Sequence, residues 1–219
     1  MQKRLVMLAS YPRSGNTYLR TILWHCFKLP SASVYQQDLL GARSLEKYVG
    51  HVEVAPGELQ NWPGKKEIQA VKTHKYPVDD TPAIYVVRDG RAACVSLWEF
   101  INRKVSLNEV IAGDHLYGTW ADHLSAWRPW ERADTLLLRY EDMTSNLPFV
   151  LEEISRYLGL RILSRTVPER DRIADIALIW VRRQTDWRES ITQSQLELFE
   201  RINGAMMRRM GYISSGDPV

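Results

Sequence analysis

Residues 11–17, Tyr-Pro-Arg-Ser-Gly-Asn-Thr, hold the densest set of chemical groups in the 219-residue chain. They follow an apolar run from Leu5 to Ala9 and precede a helix-like run from Tyr18 to Phe27. A strand, a tight loop and a helix in that order build an anion site. The first N–H groups of a helix have no partners within it and carry the positive end of its dipole, so they bind phosphate or sulfate oxygens. Gly15 lets the backbone come close, Arg13 adds a fixed positive charge, and Ser14, Asn16 and Thr17 add side-chain donors. The same residues also suit an ordinary strand-to-helix turn, with a hydroxyl capping the helix.

The nucleotide-binding pattern G-x-x-x-x-G-K-[ST] fits this loop in part. Ser10 stands at the first glycine and Asn16 at the lysine, so the group that reaches terminal phosphates is missing. Thr17 remains where a magnesium ligand would sit, and Asp89, just after an apolar strand, could supply a second. A magnesium-dependent kinase or nucleotidase is therefore one reading.

Four separated segments, taken together, favour another. Arg13 in its loop, Lys72-Thr73-His74, Val87-Arg88-Asp89 leading to Ser96, and Tyr140-Glu141-Asp142 resemble, in order, the landmarks of the cytosolic-type sulfotransferases, here of a small bacterial type. Tyr117 to Leu124 and the pair Asp186-Trp187 look like further landmarks, and the resemblance runs from about residue 5 to residue 190. It implies a P-loop NTPase-like sulfotransferase fold. It also implies 3′-phosphoadenosine 5′-phosphosulfate (PAPS) as co-substrate, 3′-phosphoadenosine 5′-phosphate (PAP) as product, and metal-independent transfer to an acceptor hydroxyl or amine.

The resemblance assigns roles residue by residue. His74 matches the general base, Lys72 the lysine beside the bridging oxygen, and Arg13 a loop position where the family usually has lysine. Arg13 keeps the charge but replaces a compact ammonium with a planar fork. Ser14, Gly15, Asn16 and Thr17 are then loop donors to the 5′-phosphosulfate, and Arg88 and Ser96 match the pair that holds the 3′-phosphate. Tyr18 takes the place of a tryptophan that stacks on adenine, and Tyr140 that of a tyrosine near the base. Arg182 and Arg183 resemble the family's C-terminal basic pair, although only Gln184-Thr185 separates them from Asp186 and no glycine follows them. A non-catalytic sensor of phosphoadenosine nucleotides would need Arg88 and Ser96 but neither Lys72 nor His74.

These residues need elements to hold them. Ile68–Lys72, Ala83–Val87 and Thr135–Arg139 read as strands beside Leu5–Ala9, and strands alternating with helices imply an α/β fold of three layers. A central parallel sheet with helices on both faces binds ligands beyond the carboxyl ends of its strands. Predicted helices cover about Asn16–Phe27, Gly90–Ile101, an amphipathic stretch within Asn108–Arg132, Leu147–Leu158 ended by Gly159, and a C-terminal stripe of Leu196, Phe199, Ile202, Met206 and Met210. Residues 29–64 look irregular. Variable loops at about 29–66 and 99–116 are expected to form the acceptor side of one domain over residues 1–219.

A net charge of +3 does not announce a nucleic-acid binder, and no stretch approaches a membrane span. Cys26 and Cys94 match neither a metal-ligand spacing nor a disulfide framework and read as small buried residues. No metal site is expected, a cytoplasmic enzyme is the default, and the partner is a small-molecule acceptor of a kind the sequence leaves open. Trp98, Trp120, Trp127 and Trp130 suit either an acceptor pocket or helix packing, and His115 and His123 have no partner identifiable from sequence.

Overall fold

The computed structural model describes residues 5–35, 38–39, 43–55, 57–58, 67–169, 173, 175 and 186–214. Five strands form one parallel sheet: β1 (Leu5–Ser10), β2 (Ser31–Ser33), β3 (Gln69–Thr73), β4 (Ala83–Val87) and β5 (Thr135–Arg139), in the order β2-β3-β1-β4-β5. The central strand β1 pairs Leu8 with Lys72 and Ala9 with Thr73 on one side, and Ala9 with Tyr85 on the other. Its carboxyl end therefore lies between those of β3 and β4.

Side chains along the strands alternate between two cores, as the period of two requires. Val6, Leu8, Ile84, Val86 and Leu138 face helices α1 (Asn16–Phe27) and α7 (Leu147–Leu158). Ala9, Tyr85 and Val87 face α3 (Gly90–Phe100), α4 (Leu107–Ala112), α5 (Trp120–Trp127) and α8 (Gln193–Arg209) on the opposite side. Each fully buried aliphatic side chain contributes roughly 1.5–3 kcal/mol. The other α-helices among the described residues are α2 (Glu46–Val49) and α6 (Tyr140–Ser145).

The structure differs from the sequence reading in three places. The single amphipathic stretch expected within 108–132 is two helices. α4 ends at Gly113, whose φ of 78° is left-handed, and α5 starts at a fresh capping box formed by Thr119 and Asp122. A fifth strand, β2, lies inside the segment expected to be irregular. The buried line of α8 runs through Phe199, Asn203 and Met207, with Ile202 and Met206 only flanking it. Asn203 is tolerated at its centre because its Oδ1 accepts the N–H of Ala121 at 3.0 Å, where α5 lacks an intrahelical partner.

Cys26 and Cys94 are free and buried. Among the described residues, no helix is long and apolar enough to cross a membrane.

Candidate functional site

The loop after β1 turns sharply into α1. Arg13 has a φ of 65° and Gly15 one of 109°, so two of the three residues before α1 occupy the left-handed region. For arginine that conformation is costly, and strain of this kind persists only where the surroundings enforce it. They do so here, since Arg88 Nη1 donates to the Arg13 carbonyl at 3.0 Å and Arg13 Nε donates to Ser96 Oγ at 3.3 Å. The Arg13 guanidinium also lies 4.8 Å from the Phe100 ring centre. The structure thus gathers Arg13, Arg88 and Ser96 into one cluster.

Gly15 is required for space as well as conformation, because a Cβ there would come 2.5 Å from Cδ2 of Tyr140. Tyr140, buried at the start of α6, lies under the loop, with the Arg88 guanidinium 4.7 Å from its ring centre. Ser14 Oγ is buried and finds no partner among the described residues. A buried, unpartnered hydroxyl just before a helix N-terminus, in the loop that also carries Arg13 and is held by Arg88, supplies donors of the kind an oxyanion needs. The residues present therefore fit a bound phosphate or sulfate ester.

Asn16 is used differently from its expected role. Its side-chain amide donates to the Leu8 carbonyl at 2.8 Å, tying the loop back to β1, and only its backbone N–H remains at the helix start. Thr17 and Tyr18 are half-buried, and Tyr18 packs against the core on the α1 side.

The second half of the site lies at the end of β3. His74 Nδ1 is 2.8 Å from the Ser10 carbonyl. A carbonyl only accepts, so Nδ1 carries the proton and Nε2 is left with its lone pair. Burial, followed by the nearby Lys72 charge, pushes the imidazole down to about 3, so it is neutral at physiological pH. The ring is held through its backbone too. Its amide donates to the Tyr35 hydroxyl at 3.1 Å, and its carbonyl accepts from His123 Nε2 at 3.0 Å. His123 is fully buried, and its Nδ1 accepts from the Tyr85 hydroxyl at 2.7 Å. His115 also gains partners: its Nδ1 accepts the Tyr117 N–H, which leaves Nε2–H to donate to the Tyr11 hydroxyl at 3.2 Å. Tyr35 and Tyr117 flank His74, each with its ring centre 6.1 Å away.

Lys72 is buried, and its ammonium pairs with Asp38 Oδ1. The other carboxylate oxygen takes Arg20 Nη1 at 2.6 Å. Two buried cations thus converge on one carboxylate that sequence reasoning overlooked. Burial alone would raise the Asp38 carboxyl, but Lys72 and Arg20 outweigh it and hold it below its ordinary range.

Of the other expected residues, Arg182 and Arg183 lie outside the described residues. Asp89, the candidate magnesium ligand, caps α3 through the Arg91 N–H and pairs with the Arg91 guanidinium at 2.7 Å. Trp120 and Trp127 are buried core residues, whereas Trp98 and Trp130 are partly buried beside the same core. In the pair Asp186-Trp187, the indole has two guanidinium neighbours: Arg91 and Arg188 lie 4.4 and 4.5 Å from the Trp187 ring centre.

Comparison with known proteins gives a consistent family. The model of the sulfotransferase domain matches residues 3–177. Mouse sulfotransferase 1B1 is 27% identical over 177 residues, covering 70% of this chain and 58% of its own. Human sulfotransferase 2A1 is 27% identical over 167 residues, covering 70% and 59%. The chain thus spans about three fifths of the length of the curated relatives it matches. Mouse sulfotransferase SULT7A1 complexed with PAP superposes with a TM-score of 0.62 at 19% identity, over 95% of this chain and 86% of that one. Retinol dehydratase in a complex with retinol and PAP gives 0.65 at 18% identity, over 95% and 82%.

Proposed function

The chain belongs to the sulfotransferase domain family, and on that premise we propose that it transfers a sulfuryl group from PAPS to an acceptor hydroxyl or amine. One observation carries the reading: a neutral histidine with a bare Nε2 stands at the strand end next to a loop built for an oxyanion.

PAPS supplies the sulfuryl group and departs as PAP, with the electron pair of the broken S–O bond on its 5′-phosphate. His74 Nε2 takes the acceptor's proton as the new bond to sulfur forms. Burial and Lys72 make it a weak base on its own, and the negative charge of the bound donor raises it toward the range in which a general base contributes about 10²–10⁴-fold in rate. Its Nδ1–H, seated on the Ser10 carbonyl, stabilises the imidazolium that results. Lys72, Arg13 and the first N–H groups of α1 supply fixed positive charge where negative charge collects on the phosphate side. Arg88 and Ser96 hold the 3′-phosphate, with Arg182 and Arg183 as further candidates. Tyr18 and Tyr140 serve the adenine side, and Tyr35 and Tyr117 wall the acceptor's approach to His74. The acceptor is a small molecule and the protein acts in the cytoplasm.

Calorimetric titration with PAP and with ADP, each with and without magnesium, tests the donor site. Tight metal-independent binding that requires the 3′-phosphate is the expected result, and a magnesium-dependent preference for ADP would overturn it. His74→Ala should retain PAP binding while PAP release from PAPS falls by about 10²-fold or more; near-normal turnover would remove the base from the mechanism.

A further inference from the structure

Lys72 presents a physical problem that the sulfotransferase reading leaves open. Its side chain is only 6% exposed, and burial pushes an ammonium toward its neutral form, yet only the charged form can stabilise a departing phosphate. Asp38 faces it across the site, from a segment 34 residues earlier. The carboxylate is itself held in place by Arg20, whose Nε donates to Ser31 Oγ at 2.7 Å and whose Nη2 donates to His51 Nδ1 at 3.0 Å. The guanidinium fork is thereby fixed to the edge strand β2 and to the residue following α2 and Gly50, so Asp38 is clamped between α1 and β3.

We propose that Asp38 is a positioning residue for sulfuryl transfer: braced by Arg20, it keeps the Lys72 ammonium protonated and aimed at the site. The inference rests on the sulfotransferase reading and concerns a residue that touches Lys72, not the reacting atoms. Among the described residues, the charged and titratable groups around Lys72 include Asp38 from the segment after β2, Arg20 from α1, Arg13 from the anion loop and His74 from the end of β3, with the Tyr35 ring centre 5.5 Å from Nζ. Only Asp38 among these opposes loss of the lysine proton; Arg20 and Arg13 favour it. This carboxylate therefore opposes the burial that would turn Lys72 into a neutral amine as pH rises.

The test follows PAP release from saturating PAPS, with water as acceptor, as a function of pH, in parallel with the calorimetric Kd for PAP. Asp38→Asn should lower the rate at pH 8 by at least tenfold and move the alkaline limb down by a pH unit or more. Its PAP Kd should stay within threefold of wild type. Introducing Lys72→Arg into that variant should abolish the limb, because a guanidinium does not lose its proton in this range. Asp38→Glu keeps the charge but displaces it by one methylene, so its rate should fall while the limb stays at the wild-type pH. Should Asp38→Asn not fold, this rate loss at an unmoved limb is the supporting result, and an unchanged Asp38→Glu rate overturns the proposal. An Asp38→Asn enzyme that is slower with its limb unmoved, or that loses PAP binding in proportion, also overturns it. A wild type that binds no PAP overturns the sulfotransferase reading and the inference with it, whereas wild-type PAP binding with an unmoved limb overturns the inference alone.

Discussion

Acidification should weaken this fold through His123, and the size of the effect can be worked from its surroundings. The imidazole is fully buried, with Nε2–H committed to the His74 carbonyl and Nδ1 accepting from Tyr85, so there is no place for a second proton. Burial pushes it down from 6.5 to about 4, the His74 carbonyl opposing only in part. The unfolded imidazole takes up its proton near 6.5, while the folded one resists until about 4. Stability from this group is therefore complete above the upper value and is lost as pH falls through that window. Between pH 7 and pH 5 the loss comes to about 2 kcal/mol, which at an m value of about 2–3 kcal/mol/M displaces a urea midpoint by roughly 0.7–1 M. Urea titrations of wild type and His123→Gln at the two pH values isolate the contribution, because the other histidines are common to both. The variant should be weaker at pH 7 but should lose about 2 kcal/mol less than wild type on acidification. Equal losses in the two proteins, or an NMR titration that finds His123 near 6.5 in the folded wild type, would refute the reasoning.

Gly15→Ala should both destabilise the fold and weaken PAP binding, since it combines a left-handed φ with a Cβ 2.5 Å from Tyr140. A thermal melt should show a cost of about 1–3 kcal/mol, and calorimetry at least a tenfold rise in Kd; unchanged values in both would mean that the loop relaxes freely. Asn203→Ala leaves the partly buried Ala121 N–H without its acceptor. It should cost about 1–3 kcal/mol in urea denaturation while leaving PAP affinity unchanged, and a neutral result would show that water replaces the amide.

The elements that sequence reads well are those whose burial is written in a continuous pattern. β4, Ala-Ile-Tyr-Val-Val, is bounded by Pro82 and Gly90, and α7 runs from the Asn146 cap to Gly159; both have the expected limits. β2 escapes because Ser-Ala-Ser carries little apolar signal, although all three residues are buried. α4 and α5 merge in the sequence because the apolar spacing continues across Gly113 and Thr119, where the backbone stops and restarts. Arg13, Arg88 and Ser96 are each legible through the order of short motifs, but their junction in one cluster is not, because the motifs assign Arg13 to one phosphate and the other two to another. Asp38 is not legible at all, because it lies in an irregular segment and its partners are 18 residues before it and 34 after. The buried Asn203 and the contact from His123 to the His74 carbonyl are hidden for the same reason: side chains that usually face water are here used as internal fasteners.

Ser10 has a consequence for re-engineering. As the last residue of β1, it offers the carbonyl that seats His74, while the residues after it begin the anion loop. His74 and the anion loop hang from one peptide unit, and their spacing is fixed by the pairing of the innermost strands. Tyr35 and Tyr117, the walls beside His74, come from segments outside those strands. On the proposed mechanism, the strand-end chemistry is the chassis and acceptor choice a detachable tool head. A library confined to the segments around these two tyrosines, with Tyr35 kept to accept the His74 amide, can change what is modified without retuning how the group is moved.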